Sequence, residues 1–414
     1  MQNTPKSLRL QIAIAGRVNS GKSTLLNKLA AQEISITSPL PGTTTDVVEK
    51  PMELRPLGPV LFLDTAGLAD DTELGSARME RSIKALDRAD ILLLLTTAGV
   101  WGNTEEKLLA LAAERKLPVI VVVNKSDLQM PEADFCAMVK EKCGHEILSL
   151  SAASMTQSQI LELLTPRLIG VVPEEFVTPP PMVGDLVKKG DTVVLIVPID
   201  IQAPKGRLIL PQVQALREIL DSDCTAIVCK TADYRKTLEN LKTPPALVIC
   251  DSQVVDFMVE ETPNEIPCTT FSILLSRIKG DLQTFCKGAE AVKSLKPGDR
   301  ILIAEGCTHH ASDDDIGRVK IPRMLEKKAG GKLEFTVCSG HDFVENLSDY
   351  KLILHCGACM LNRREVLRRL QLAEAAGLPV VNYGMAISCC KGVLDRVMEP
   401  FEKALFPIKV GKKG

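Results

Sequence analysis

The chain has 414 residues, 45% of them hydrophobic and 25% charged, which is typical of a soluble globular protein too long for one core. Its formal net charge of -2 gives no general attraction to nucleic acid or to an anionic membrane, so we expect neither as a partner. The sequence contains no apolar run long enough to span a bilayer, which argues against a membrane protein.

The cysteine content predicts the compartment. The sequence contains 13 cysteines, and residues 1–10 lack the long apolar run of a secretory signal peptide. Thiols of proteins that are not secreted stay free or bind metal. We therefore expect a protein of the reducing cytoplasm.

A phosphate-binding motif opens the chain. Leu8 to Ala15 is a short apolar run that predicts a strand, and Gly16 to Thr24 then matches G-x-x-x-x-G-K-[ST] before a helical pattern. In such a loop the glycines let backbone N–H groups surround phosphates, Lys22 neutralises them, and Ser23 offers its hydroxyl to magnesium. The predicted phosphate-binding residues are Gly16, Asn19, Ser20, Gly21, Lys22, Ser23 and Thr24.

A second loop of the predicted nucleotide site follows the apolar run Val60 to Leu63. It reads Asp64-Thr65-Ala66-Gly67. This order places the Asp64 carboxylate in a magnesium shell and the Gly67 amide near the terminal phosphate.

The remaining loops predict which base is bound. Val119 to Val123 leads into Asn124-Lys125-Ser126-Asp127, and Ser151 and Ala152 follow another short strand. The Asp127 carboxylate can accept hydrogen bonds from the ring N1–H and exocyclic amine of guanine, which adenine does not offer in that arrangement. Because ligands of open α/β sheets bind at the strand ends, these loops together predict a GTP site.

These motifs resemble those of the translation-factor-related GTPases, most closely the TrmE-Era type. The resemblance implies that Pro41 to Asp46 is the switch I loop and that Asn19 helps to hold a stimulating potassium ion. The magnesium ligands that it implies are Ser23, Thr44 and Asp64.

The same resemblance bears on the rate of hydrolysis. Leu68 stands where Ras-like proteins carry a water-orienting glutamine, and Asp70, Asp71 and Glu73 are only local candidates for that role. Missing transition-state stabilisation lowers the rate by about 10³ to 10⁵. We therefore expect slow, potassium-stimulated GTP hydrolysis.

The middle of the chain predicts a scaffold. Leu161 to Ile169 reads as the last helix of the GTPase, and the proline-rich Val171 to Pro181 reads as a stiff extended linker. Beyond it, strand-length apolar runs at Thr192 to Pro198, Thr225 to Cys229 and Ala246 to Cys250 alternate with helical patterns. This alternation predicts a small parallel α/β unit, without a nucleophile and base.

The last third predicts another parallel sheet. Phe271 to Val292 reads as one long amphipathic helix. The strand candidates that follow it are Arg300 to Ala304, Leu333 to Val337, Leu352 to His355 and Val380 to Asn382.

Two cysteine-histidine motifs follow strands of this sheet. They are Cys307-Thr308-His309 and His355-Cys356-Gly357-Ala358-Cys359. Because loops after parallel strands open on the same edge, the thiols of Cys307, Cys356 and Cys359 are expected to meet. Three thiolates suit an iron-sulfur cluster or zinc, and an imidazole can complete either site.

Three thiols leave one ligand position of a 4Fe-4S cluster open. His309, His355 and Glu305 are candidates for a fourth ligand or for a hydrogen bond to the cluster. The Cys-x-x-Cys loop leads into a predicted helix whose N-terminus would stabilise thiolates, together with Arg363 and Arg364 if these face the site.

A TrmE-Era type GTPase followed by these motifs resembles the FeFe-hydrogenase maturation GTPases, the HydF family. The resemblance implies a 4Fe-4S cluster on Cys307, Cys356 and Cys359 with one exchangeable iron. It further implies a homodimer that carries a transient diiron precursor made with two radical-SAM maturases and delivers it to apo FeFe-hydrogenase.

The sequence thus predicts an α/β protein of three domains, an N-terminal P-loop GTPase and two smaller parallel-sheet α/β domains. The predicted divisions are a GTP-binding domain at 1–170, a linker at 171–181, a dimerisation or scaffold domain at 182–265 and a cluster-binding domain at 266–414. One alternative is a zinc-stabilised GTPase of RNA modification or ribosome assembly. Another is a redox enzyme, although the sequence shows no flavin or dinucleotide fingerprint.

Overall fold

A computed structural model describes residues 4–30, 48–65, 82–199, 206–307, 315–344 and 346–402. The chain divides into two compact units, Met1–Pro179 and Pro180–Gly414. The segment predicted as a linker is not extended throughout, since Glu174–Val177 forms a helical turn. Within the ranges given above, we find no helix with the length and apolar character needed to cross a bilayer.

In its described part, the first unit is built on one mainly parallel sheet. Its strands are β1 (Leu10–Gly16), β2 (Val48–Leu54), β3 (Gly58–Asp64), β4 (Ile91–Thr97), β5 (Val119–Asn124) and β6 (Leu148–Ser149). They lie in the order β2-β3-β1-β4-β5-β6, and only the β2–β3 pair of these strands is antiparallel. The loops after β1, β3, β5 and β6 therefore open on the same edge of the sheet.

Helices cover both faces of this sheet. They are α1 (Lys22–Ala30), α2 (described over 82–88), α3 (Asn103–Glu114), α4 (Ala133–Cys143), α5 (Gln157–Val171) and α6 (Glu174–Val177). Strand β1 is buried along its whole length. Ile12 and Ile14 belong to one apolar core and Ala13 and Ala15 to the other, because successive side chains of a strand point to opposite faces.

The second unit begins with a parallel sheet in the order β10-β9-β7-β8. Its strands are β7 (Thr192–Ile196), β8 (Thr225–Cys229), β9 (Leu247–Cys250) and β10 (Cys268–Thr270). Its helices are α7 (Leu210–Asp221), α8 (Tyr234–Glu239), α9 (Val255–Glu261) and α10 (Phe271–Lys279). The predicted strands and helices of this region are confirmed, and β10 was not predicted.

A further parallel sheet follows in the same unit, in the order β12-β11-β13-β14. Its strands are β11 (Arg300–Glu305), β12 (Glu334–Ser339), β13 (Leu352–His355) and β14 (Val380–Asn382). Its helices are α11 (Leu282–Val292), α12 (Ile321–Ala329), α13 (Arg363–Ala375), α14 (Tyr383–Lys391) and α15 (Leu394–Met398). The predicted fold class, a P-loop GTPase followed by two parallel-sheet α/β regions, is confirmed. One apolar core joins the two sheets of this unit, with Leu195, Leu274 and Leu354 among its members.

The single long helix predicted over Phe271 to Val292 is wrong. The chain forms α10 and α11 instead, with Gly280 and Asp281 between them. The Asp281 carboxylate accepts a hydrogen bond of 2.7 Å from the Thr284 backbone N–H and so starts a new helix. A Cβ at Gly280 would lie 2.6 Å from the Phe285 ring, so the break also depends on glycine.

Candidate nucleotide and metal sites

The phosphate-binding loop runs between Gly16, where β1 ends, and Lys22, where α1 begins. Asn19 and Gly21 have φ angles of 65° and 92°, in the left-handed region that asparagine and glycine adopt most readily. A Cβ at Gly21 would overlap the side-chain amide of Asn124. The glycine of the motif is therefore needed for both the turn and the close approach.

The ammonium group of Lys22 lies inside this loop. Its Nζ donates hydrogen bonds to the carbonyl oxygens of Gly16 at 3.0 Å and Arg17 at 2.5 Å. Burial lowers the Lys22 pKa to about 8, and the Asp64 charge partly opposes this shift. Phosphate oxygens of a nucleotide could take the place of these two carbonyls as partners of the ammonium.

Asp64 ends strand β3 beside the loop. Burial raises the pKa of its carboxyl, while the charges of Lys22 and Lys50 oppose the shift. Its Oδ1 is buried and accepts no hydrogen bond from the described residues. A magnesium ion or its water would satisfy this oxygen, and Ser23 is exposed nearby in the first turn of α1. The other two residues predicted here, Thr44 and Gly67, lie outside the described residues, as do the switch I loop and the water-orienting candidates.

Asn124 joins the phosphate loop to the predicted base loop. Its Nδ2 donates to the Ser20 carbonyl at 2.9 Å, and its Oδ1 accepts from the Ala152 N–H at 2.9 Å. Three motifs far apart in sequence therefore meet at one sheet edge. Asp127 is exposed to solvent two residues after Lys125, and its contact with guanine stays a prediction.

Sequence reasoning missed an ion pair behind this loop. Arg17 donates from Nε and Nη2 to the Glu105 carboxylate, with shortest distances of 2.8 Å. Glu105 is fully buried and also accepts from the Gly102 N–H at 3.0 Å. Arg17 occupies an unspecified position of the motif, and no local pattern relates it to a residue of α3.

The two cysteine motifs meet at the carboxyl edge of the last sheet. Ala304 of β11 pairs with His355 of β13, and the Cys356 N–H donates to the Ala304 carbonyl at 2.9 Å. The Gly306 N–H points at the Cys356 Sγ at 3.0 Å and the Ala358 N–H at 3.3 Å. Hydrogen bonds of this kind stabilise a thiolate.

The thiols of the two motifs interact electrostatically. Burial raises the pKa of Cys307 to about 11 and that of Cys356 to about 12, and a charge on Cys359 would raise both further. Among the described residues, however, no three His, Cys, Asp or Glu side chains are grouped so that they could hold a metal ion. The assignment of the three cysteines to one cluster therefore stays a prediction. Metal binding here would have to displace thiol protons.

His355 precedes Cys356 and is 1% exposed. Its Nδ1 donates to the Cys356 carbonyl at 2.8 Å, so its Nε2 carries the lone pair of the neutral ring. That nitrogen is buried and has no hydrogen-bond partner in the described part of the chain. Burial lowers the His355 pKa to about 4, helped by the Arg369 charge. The ring is therefore neutral at neutral pH.

The other candidates for a fourth ligand differ from His355. The Glu305 carboxylate accepts hydrogen bonds from Arg318, at 2.7 Å from Nη2, and from the Tyr383 hydroxyl at 3.4 Å. His309 lies outside the described residues. A metal would have to compete with Arg318 for the Glu305 carboxylate.

The helix after the Cys-x-x-Cys turn is α13, which Asn362 caps by accepting from the Glu365 N–H at 3.1 Å. Arg363 donates to the carbonyls of Ile278 and Gly280 at 3.0 and 2.8 Å, which caps the end of α10. Lys279, the last residue of α10, is a cation whose charge acts on the Cys359 thiol. Burial raises the Cys359 pKa, and the Lys279 charge lowers it. Sequence reasoning missed this lysine because it ends a helix predicted to be continuous.

Three family models match successive parts of the chain. A family model described as "50S ribosome-binding GTPase" matches residues 11–125. One described as "Hydrogen maturase F dimerization domain" matches residues 182–280, and one described as "Hydrogen maturase F tetramerization domain" matches residues 283–400. The chain therefore contains a GTPase domain.

Curated relatives resemble the GTPase part. A tRNA modification GTPase MnmE of Zymomonas mobilis is 44% identical over 26% of this chain and 25% of its own length. A GTPase Der of Kosmotoga olearia is 36% identical over 29% of this chain and 28% of its own length. A solved structure of Aquifex aeolicus Era is 24% identical, with a TM-score of 0.33 over 53% of this chain and 92% of that one. The chain thus spans about a quarter of the length of these curated relatives.

Proposed function

Because the chain belongs to the hydrogen maturase F family, we propose that it is a GTP-hydrolysing scaffold that binds a 4Fe-4S cluster. The observation that carries this proposal is the pair of adjacent family matches over 182–280 and 283–400. Cys307, Cys356 and Cys359 all lie in the second of these matches. The scaffold would assemble a diiron precursor as cargo and deliver it to apo FeFe-hydrogenase.

Three thiolates would hold the cluster. Cys307, Cys356 and Cys359 supply them, and the N–H groups of Gly306 and Ala358 would stabilise the Cys356 thiolate. The donor chemistry fits iron, although the side chains are not grouped as a ready metal site. The cluster would supply one iron with a replaceable ligand, as the attachment point for the cargo.

The fourth position is best assigned to a weak ligand. The His355 Nε2 is buried without a partner in the described residues and has its lone pair free. Glu305 and His309 remain the alternatives. A weak ligand suits a carrier because it can yield to a donor group on the incoming diiron precursor.

The GTPase domain would control exchange of partners. Lys22 would bind the phosphates, Ser23, Thr44 and Asp64 the magnesium ion, and Asn19 a potassium ion. Asp127, with Asn124 and Lys125 beside it, would select guanine, while Ser151 and Ala152 close over the base. Hydrolysis would be slow and stimulated by potassium.

The partners follow from the same proposal. The family matches support oligomerisation, and we assign a homodimer to the region of residues 182–280. Two radical-SAM maturases would build the cargo, and apo FeFe-hydrogenase would receive it. The protein would work in the cytoplasm.

Anaerobic reconstitution tests the cluster. The full chain, incubated with iron, sulfide and a reductant, should turn brown and bind about four irons per chain. Cys307→Ala, Cys356→Ala and Cys359→Ala should each lose the cluster and the ability to activate apo FeFe-hydrogenase. Cys338→Ala is the matched control, because Cys338 lies on β12 beside Ala304 of β11. The proposal fails if the three variants keep both properties.

The zinc alternative has one observation in its favour, since curated relatives are named tRNA modification GTPases. Their similarity covers only 29% and 26% of this chain. A colourless protein with one zinc per chain, after anaerobic purification, would support a closed zinc site and exclude the cluster.

A further inference from the structure

The Cys-x-x-Cys turn rests on the end of helix α10. The Lys279 Nζ donates a hydrogen bond of 2.9 Å to the Leu361 carbonyl, two residues after Cys359. Arg363 reaches in the opposite direction, to the Ile278 and Gly280 carbonyls at 3.0 and 2.8 Å. Three charge-assisted hydrogen bonds therefore fix α10 against the turn.

Lys279 is unusually placed for a lysine. It is 3% exposed, whereas lysine is almost never fully buried unless it has a partner. Leu275, one turn earlier on α10, would lie 3.3 Å from a Cβ built on Gly357, so α10 packs closely against the Cys-x-x-Cys turn. A positive charge in such surroundings is screened little by water, so it acts strongly on nearby groups.

Lys279 and the three cysteines lie in different family matches. Helix α10 is part of the match to the dimerization domain, which ends at residue 280, while the cysteines lie in the next match. Arg277, half a turn earlier, forms an ion pair with Asp185 at the start of that domain. The part of the chain that matches the dimerization domain therefore supplies the cation at the turn.

We propose that Lys279 is a positioning residue that tunes the cluster, because its buried charge, bound to the Leu361 carbonyl at the end of the Cys-x-x-Cys turn, favours the cluster's reduced state. This inference rests on the proposed function. In the step concerned, one electron passes from a dithionite-type reductant to the cluster, and no bond forms or breaks. A fixed cation stabilises the added negative charge and so raises the reduction potential.

A redox titration of the anaerobically reconstituted full chain tests the proposal, with the visible and electron paramagnetic resonance spectra as readouts. At the applied potential that reduces half of the wild-type cluster, Lys279→Met should lower the ratio of reduced to oxidised cluster about tenfold. This change corresponds to a reduction potential lower by about 59 mV for a one-electron couple. Lys279→Gln should shift it in the same direction, and Lys279→Arg should restore it. Lys287→Met is the control, because Lys287 is exposed on α11.

The outcomes separate the two proposals. A wild-type chain without a cluster contradicts the proposed function. A Lys279→Met or Lys279→Gln chain with full cluster content and the wild-type potential overturns the role of Lys279. Loss of the cluster from both variants, with Lys279→Arg intact, would make the lysine a structural support and would also overturn it.

Discussion

Glu305 and Arg318 form an ion pair at the edge of the sheet that carries the cysteines. Arg318 donates to the Glu305 Oε2 from Nε at 3.1 Å and from Nη2 at 2.7 Å. Glu305 ends β11 two residues before Cys307, and Arg318 lies in the turn that precedes α12. The pair therefore fixes the strand from which the first cysteine loop leaves.

We expect Glu305→Gln to destabilise the protein by about 2 kcal/mol. Removing one partner of a buried ion pair costs about 3 to 5 kcal/mol, and Arg318 is 26% exposed, so the loss should be smaller. Urea unfolding followed by circular dichroism measures the change. The control is Glu334→Gln on β12, whose partner Arg300 lies 3.6 Å away at the surface, with an expected change below about 0.5 kcal/mol.

The same variant distinguishes two roles of Glu305. As a positioning residue, its loss should reduce stability while reconstituted Glu305→Gln keeps its cluster. A variant of unchanged stability that loses the fourth iron site would make Glu305 a ligand instead.

The strands could be predicted because their signal is local. Val119 to Val123 and Leu352 to His355 are short apolar runs followed by polar loops, and both form buried strands. The P-loop was predictable for a similar reason, since its glycines and Lys22 occupy fixed positions between a strand and a helix.

The break between α10 and α11 and the short strand β10 could not be predicted from hydrophobic periodicity. The apolar positions continue across Gly280 and Asp281, although an aspartate three residues before Thr284 is a helix-start signal. Strand β10 has three residues, Cys268 to Thr270, and shows no apolar run. Both misses came from giving hydrophobic periodicity more weight than capping and strand pairing.

The partners of charged groups could not be predicted. Arg17 and Glu105 are 88 residues apart, and Lys279 and Leu361 are 82 apart. Each pair exists only because the tertiary fold brings two elements together. Within the single helix predicted over Phe271 to Val292, no local pattern relates Lys279 to the residues that follow the Cys-x-x-Cys motif.

We expect GTP affinity to fall above about pH 8. Burial lowers the Lys22 pKa to about 8 in the nucleotide-free chain, whereas bound phosphate favours the protonated amine. Below pH 8 the amine is already charged. Above it, binding must take up a proton, so affinity should drop by up to about tenfold per pH unit.

Calorimetry in buffers of different ionisation enthalpy should detect proton uptake at pH 8.5 and almost none at pH 6.5. Equal uptake at both values would contradict the shifted pKa.

We expect Asn124→Ala to weaken nucleotide binding, because it breaks contacts within the protein in addition to any contact with the base. The change leaves the Ser20 carbonyl and the Ala152 N–H, both buried, without the hydrogen bonds of 2.9 Å that they now make. Each loss costs about 1 to 3 kcal/mol, and GDP affinity should fall at least about tenfold. Asn27→Ala on α1 is the exposed control. An Asn124→Ala chain with wild-type affinity and melting temperature would show that the bridge is dispensable.

We expect Val228→Lys to weaken the proposed homodimer. Val228 lies on β8, the edge strand of its sheet in the described residues, and is 46% exposed, as is Val213 on the adjacent α7. An exposed edge with apolar side chains favours pairing with a second copy, and this region matches the dimerization domain.

Sedimentation velocity over a range of concentrations should show the dissociation constant of the Val228→Lys dimer rising at least about tenfold. The control is Val337→Lys on β12, an edge strand of the last sheet in the described residues, where valine is 40% exposed. It lies in the match to the tetramerization domain, so it should leave the dimer intact and remove only larger assemblies. If Val337→Lys yields monomers and Val228→Lys does not, the two copies pair through β12 instead.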